Sequence, residues 1–322
     1  ALADEGEGKK LQLYSSFLEA ELSGDYFFST AGRELMAALH PHLPSLIPQP
    51  EEAEPLEGLN NFRFTVNLKN TEDLSYALSL PFYNVEPATI QGSVDMVSGQ
   101  SVVMNAHVPR LMFGNNDIRE TKVTLQSGPA KGIAIEANTY LVQDDGYINA
   151  RLNTDAASDS LMNRLFFDVQ NSVAQANGQL QIGLQLDRDA EEQLMAAIRF
   201  YSSDVLFNNK TISFSDATID YRKDHIDIRN FGMRERDMLI LGIEGIASKT
   251  PSDSIRVYFN NTELSNLLAA FNVSNIEGAI NGDIFISQAL GDPRIRTEQL
   301  RIDDIKVYNE PLGTFHVDPR WD

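Results

Sequence analysis

The chain has 322 residues, of which 42% are hydrophobic and 22% charged, with no cysteine and a formal net charge of −20. That length suits about one to three domains and a large core, and the composition is that of a folded rather than a disordered chain. Its 26 Lys+Arg against 46 Asp+Glu argue against a nucleic-acid interface or a polybasic membrane anchor, and the missing cysteines exclude disulfides, thiolate metal sites, cysteine nucleophiles and iron–sulfur clusters.

Taken in chain order, residues Ala1–Lys10 lack the charged start and apolar core of a signal peptide. They read as a frayed start or as a cut inside a larger chain. No run approaches the roughly 18 apolar residues of a membrane span. A strand-like stretch, Leu11–Leu22, leads to a predicted helix capped by Ser29-Thr30 and running to about Leu43, with Leu35, Met36, Leu39 and Leu43 on one face. His40-Pro41 and Leu43-Pro44 end it. Ile47–Pro55 is rich in proline and glutamate and reads as an extended hinge.

Beyond it, apolar and polar residues alternate with period two. Phe62–Lys69, Ile133–Asn138, Leu180–Asp187, Ile226–Arg229 and Ile255–Asn260 all follow this pattern. Alternation at 180° per residue gives strands with one apolar and one wet face, the mark of antiparallel sheets. Reversals are predicted at Gly114–Asp117, Ser127-Gly128-Pro129, Asp144-Asp145-Gly146 and Asn208-Asn209. Roughly fifteen strands are expected, too many for one twisted open sheet, so the sheet must curl, split or elongate. Two more short helices are predicted, one capped by Ser158 over Leu161, Met162, Leu165 and Phe166, the other from Thr262-Glu263-Leu264 to Phe271. A strand followed by a short helix thus recurs three times. Ile90-Gln91-Gly92-Ser93-Val94 and Ile280-Asn281-Gly282-Asp283-Ile284 form a second recurrence, each followed by a proline and another alternating strand. Three parts are expected: a strand-plus-helix start over 1–48, a Pro/Glu-rich linker over 49–57, and a repeated β-groove segment over 58–322 with a sub-boundary near 170–178.

Chemistry-bearing patterns are sparse. His40-Pro41-His42 is the one close histidine pair among five, short of the three or four ligands a metal needs. Asp144-Asp145-Gly146 and Asp303-Asp304 lack the spacing of a calcium loop. No nucleophile elbow, phosphate loop or dinucleotide fingerprint is present. Asn209-Lys210-Thr211, Asn260-Asn261-Thr262 and Asn272-Val273-Ser274 match the glycosylation sequon, a short and common motif. The chain is read as a non-enzyme with no metal and no cofactor. What remains is the apolar stripe: core in a closed sandwich, groove in an incompletely closed sheet.

Several stretches resemble the TamB family, the translocation and assembly module proteins of diderm bacteria, in the form found in Bacteroidetes. They are Leu22–Tyr26 with Pro44–Pro48; Asn61–Phe64 with Ile90-Gln91-Gly92; Phe207–Asn209 through Ile219–Tyr221 to Ile228–Phe231; Gly245, Ser248 and Asp253 before Val257–Leu264; and Gly278–Gly282 running to Leu312-Gly313 and Trp321-Asp322. The resemblance implies a mostly β fold, an elongated, curved, taco-like antiparallel sheet with an apolar concave face and a few short helices. It implies a periplasmic segment of a protein anchored in the inner membrane, acting in phospholipid transport between the two membranes and in outer-membrane protein assembly and secretion. Anchor helix and barrel-docking region would belong to regions outside this segment, the latter meeting an outer-membrane barrel-assembly partner. Phospholipid acyl chains are the expected ligand, and nucleic acid is not expected. The residues expected to line the apolar face are Phe62, Phe64, Val66, Leu68, Ile133, Ile135, Leu180, Ile182, Leu184, Ile255, Val257 and Phe259; their other role is plain core packing. The alternatives are a closed β-sandwich module that binds glycan or protein at the cell surface, and a hydrolase on a β scaffold.

Overall fold

The computed structural model describes residues 2–4, 9–50, 58–130, 132–172, 174–269, 273 and 275–317. The chain is mostly β, 66% strand and 8% helix, and its strands pair antiparallel, as the alternation predicts. It divides into two compact units between Phe167 and Asp168. Most of the predicted linker, residues 51–57, lies outside the described residues.

Unit 1 contains β1 (Leu2–Asp4), β2 (Lys9–Tyr14), β3 (Leu18–Asp25), β4 (Asn61–Leu68), β5 (Phe82–Asn84), β6 (Ala88–Asp95), β7 (Ser101–Phe113), β8 (Asn116–Gly128), β9 (Gly132–Gln143) and β10 (Gly146–Ala157). The division falls inside β11 (Ser160–Gln170). The strands run as a meander in the order β1-β2-β3-β4-β6-β7-β8-β9-β10, with β5 beside the far end of β7. Helix α1 (Phe28–Leu39) connects β3 to β4, and α2 (Glu72–Leu78) connects β4 to β5.

Unit 2 contains β12 (Gln175–Arg188), β13 (Leu194–Phe200), β14 (Ser203–Phe207), β15 (Lys210–Phe214), β16 (Ala217–Arg222), β17 (His225–Glu235), β18 (Met238–Ser248), β19 (Ser254–Glu263), β20 (Ile276–Ser287), β21 (Arg294–Val307) and β22 (Glu310–His316). The hairpin β14–β15 is inserted between β13 and β16, and both pairs bridge β12 to β17. From β17 to β22 the unit is a plain meander. Helix α3 (Leu264–Ala269) follows β19.

Two helix expectations need correction, and one helix was not expected. The segment after Ser158 is strand β11, so the strand-then-helix order occurs twice at the predicted places rather than three times. Ser158 and Asp159 both have positive φ (51° and 60°) and form the two-residue turn of a β10–β11 hairpin. Arg164 donates to Asp155 across that hairpin at 3.0 Å, and Thr154 donates to Asn163 at 2.8 Å. The first helix starts at Phe28 with Phe27 as its N-cap and ends at Leu39, without a side-chain cap from Ser29 or Thr30. Helix α2 was not expected from the sequence; its first turn carries Glu72 and Asp73, where negative charge meets the positive end of the helix dipole, and the Asn70 side chain accepts the Glu72 N–H at 2.9 Å.

The two similar glycine strands share a pairing. Gly92 of β6 lies opposite Phe64, and Gly282 of β20 lies opposite Phe259. A Cβ at Gly92 would sit 2.2 Å from the Val103 carbonyl oxygen and 2.7 Å from the Phe64 ring, so the ring occupies the space the glycine leaves. Gly282 adopts φ +109°, a conformation open to glycine at low cost.

Candidate functional site

In an antiparallel sheet, directly opposed residues point to the same face, so register decides whether alternation adds up to a continuous surface. In unit 1 it does. One row runs Leu22–Phe64–Gly92–Met104–Leu125–Ile135–Thr154 from β3 to β10. The next runs Ala20–Val66–Ile90–Ala106–Val123–Ala137–Leu152, and a third runs Gly24–Phe62–Val94–Val102–Ser127–Ile133–Ala156. The bulge at Glu120 (φ 50°) resets β8, so that Leu111, Ile118, Leu141 and Ile148 extend the same face. The opposite face carries rows such as Glu21–Thr65–Gln91–Asn105–Thr124–Glu136–Asn153.

Unit 2 repeats the arrangement. Its longest row is Leu184–Ile198–Ile219–Ile228–Gly245–Ile255–Ile286–Ile295, from β12 to β21. Beside it run Phe231–Ile243–Val257–Ile284 and Met233–Leu241–Phe259–Gly282. A bulge at Asn230 (φ 59°) keeps Phe231 and Met233 on the face that Ile226 and Ile228 occupy earlier in β17.

All twelve candidate residues therefore sit on these two apolar faces. Phe62, Phe64, Val66 and Leu68 come from β4, and Ile133 and Ile135 from β9, in unit 1. Leu180, Ile182 and Leu184 come from β12, and Ile255, Val257 and Phe259 from β19, in unit 2. Only Ile133 (6% exposed) and Phe259 (9%) are buried; the other ten stay partly accessible. Eighteen apolar side chains are buried among the described residues of a chain that is 42% hydrophobic, far fewer than a closed sandwich core would hold. Sequence reading missed Leu22, Met104 and Leu125 in unit 1 and Ile198, Ile219, Leu241 and Ile284 in unit 2. In Val102-Val103-Met104 and in Met238–Ile243, apolar residues on the polar face or at a bulge blur the alternation.

Helix α3 covers part of the unit 2 face, and the chain entering α1 meets the unit 1 face. In unit 2, Leu267 of α3 packs on the cluster Leu241, Phe259 and Leu300. In unit 1, Tyr26, at the entry to α1, meets the Phe62 ring edge-on at 6.4 Å. Ser127, Ile133 and Ala156, in the same row as Phe62, are buried, and so are Thr30 and Ala38 of α1 and His42 and Ser45 beyond it. The α1 segment is tied down at two places. The Asn60 side chain accepts the Phe27 N–H at 2.8 Å and donates to Thr30 Oγ1 at 3.0 Å, while its backbone N–H donates to Glu34 at 2.9 Å. Ser45 donates from its N–H and its hydroxyl to the Asp159 carboxylate at 2.9 and 2.7 Å.

The polar face is laced by charge pairs between neighbouring strands. Arg110 is bidentate on Asp117 at 3.1 Å, with Arg119 on the same carboxylate at 2.7 Å. Those contacts, Arg119 first and then Arg110, hold the Asp117 carboxyl below its ordinary pKa. Arg229 joins Asp220 and Asp227, and Arg256 joins Asp283 and Glu244. Exposed pairs of this kind contribute about 0–1 kcal/mol each.

Histidines 40 and 42 do not converge on a metal: His40 Nδ1 meets the Ile47 carbonyl oxygen at 2.6 Å. No group of three or more His, Asp or Glu among the described residues is arranged to hold a metal ion. No helix among them is long and apolar enough to cross a membrane. Comparison with known protein families, with curated proteins and with solved structures gave no match.

Proposed function

We propose that this chain is a non-catalytic, lipid-handling segment, and that its apolar sheet faces hold phospholipid acyl chains. One observation carries the reading: apolar rows continue across seven or more paired strands in each unit and remain partly accessible along most of their length. An acyl chain gains about 0.8 kcal/mol per buried CH₂, so roughly 12 kcal/mol is available to a 16-carbon chain leaving water. A strip of branched and aromatic side chains supplies that environment without any specific polar contact.

With the resemblance to TamB proteins, the segment is read as periplasmic, a conduit or scaffold serving phospholipid transport from inner to outer membrane and outer-membrane protein assembly and secretion. The charge-paired outer face keeps such a sheet in solution while its other face is apolar. The low number of buried apolar residues favours this reading over a closed sandwich that binds glycan or protein at the cell surface.

Native mass spectrometry of the chain after incubation with phosphatidylethanolamine–phosphatidylglycerol vesicles tests it. Phospholipid adducts are expected, and Leu125→Asp and Ile219→Asp should each lower their number while circular dichroism keeps its β signature. A lipid-free wild-type chain would overturn the proposal.

A further inference from the structure

We propose that the polar face of unit 2 carries a second binding site, for a short uncharged oligosaccharide. Gly232 and Gly242 lie opposite each other on β17 and β18, and the next residue in the same row is Tyr258 of β19. The Leu239 side chain fills the space over Gly232, 2.8 Å from a Cβ built there, so the trough in the polar face opens over Gly242, where a Cβ would meet nothing closer than 3.6 Å; the bulge at Asn230 lies beside it in β17. The cavity measures about 570 Å³, within the range of small-molecule sites. Leu239 flanks its floor, and Ser215, whose N–H donates to the Gly232 carbonyl at 2.9 Å, forms the opposite rim.

The groups around the trough identify the ligand class. Elsewhere on the polar face, side chains pair with each other, as in Thr89–Asn67, Thr124–Asn105 and Ser213–Asp204. Here the Ser215 hydroxyl, the Asn230 amide and the Tyr258 hydroxyl have no hydrogen-bond partner among the described residues. Among the described residues, Asn260 donates to the Leu239 carbonyl while its Oδ1 has no partner, and the Arg234 side chain meets the Asp237 carbonyl alone. Donors and acceptors are thus mixed, which suits hydroxyl groups that both give and take hydrogen bonds. Charge at the rim cancels, Arg234 and Arg256 against Asp216 and Glu244, so a free anion finds no net attraction. One face of the Tyr258 ring is engaged by Arg256 at 5.5 Å, and the ring supplies the apolar surface on which a sugar ring stacks. This proposal does not depend on the lipid reading, since it uses the opposite face of the sheet.

The floor allows a clean test. A Cβ at Gly242 would meet no atom closer than 3.6 Å, and the residue's backbone suits a side chain, so Gly242→Val fills the trough within an intact strand. Chitotetraose, cellotetraose and maltotetraose, added separately to the full chain, serve as probes in saturation-transfer and amide-shift NMR. At least one should bind, shift the Asn230 and Gly242 amides, and lose affinity tenfold or more in Gly242→Val at an unchanged melting temperature. Tyr258→Ala, which removes the ring and its phenolic hydroxyl at a partly accessible position, should do the same and serves if the valine variant fails to fold. Three results overturn the proposal: none of the probes binds, binding survives in both variants, or inorganic phosphate competes the saccharide off at equal concentration.

Discussion

Replacing Asn60 by alanine should loosen α1 without dissolving the sheet of unit 1. Asn60 has no solvent exposure, and its side chain is the acceptor for the Phe27 N–H and a donor to Thr30 Oγ1. Alanine leaves that N–H without a partner at the helix N-terminus, where orphan donors are already hardest to satisfy. An unsatisfied buried group costs about 1–3 kcal/mol and a lost neutral bond about 1 kcal/mol, so about 2–3 kcal/mol is expected after partial hydration. On the scale of roughly 1.4 kcal/mol per factor of ten, α1 amides such as Thr30 and Ala31, which bond to the Phe27 carbonyl, should exchange about 30 to 150 times faster. Amides in the centre of β8 and β9 should keep their protection, because their ladder does not pass through Asn60. Hydrogen exchange read by NMR or mass spectrometry measures both. Unchanged exchange in α1, or an equal acceleration throughout unit 1, would refute the view that this network fastens the helix locally.

Phe259→Ala should destabilise unit 2 by about 3–5 kcal/mol, as for other buried aromatics, because Phe259 is 9% exposed and sits between Leu241, Leu300 and α3; urea unfolding measures it, and a loss under 1 kcal/mol would show that α3 does not cover the face. Acid should destabilise unit 1 in part through Asp117. Its folded pKa lies below the ordinary value, so its contribution is complete above the unfolded pKa and is lost as pH falls through the folded one. The urea midpoint should therefore drop below about pH 4, and Asp117→Asn should flatten part of that drop. An identical pH profile in the variant would contradict the assignment.

Period-two alternation was enough to identify strands and a one-sided apolar surface, because the side-chain direction of a strand follows from its own residues. It could not show which strands would align. The rows in unit 1 depend on the hairpin turns and on the Glu120 bulge, and a one-residue slip would place Phe64 opposite polar residues. The segment after Ser158 was misread because Leu161, Met162, Leu165 and Phe166 fit a helical face as well as a strand in which Arg151 lies over Phe166 at 4.4 Å on the polar face. Helix α2 was missed because Tyr76 and Leu78 are exposed, so the segment has no apolar stripe to read. The glycine trough was invisible in the sequence: Gly232 and Gly242 become neighbours only through the pairing of β17 with β18.

The central claim is that one face of the sheet touches lipid and the other does not, and photo-cross-linking along a single strand tests it most directly. A photoreactive residue would be placed in turn at 134 to 139 of β9, where Ile135, Ala137 and Thr139 share the apolar face and Ala134, Glu136 and Asn138 the polar one. With phospholipid vesicles present, adducts should form at 135, 137 and 139 and not at the positions between them. Adducts of equal yield on both faces, or none at any position, would contradict the account.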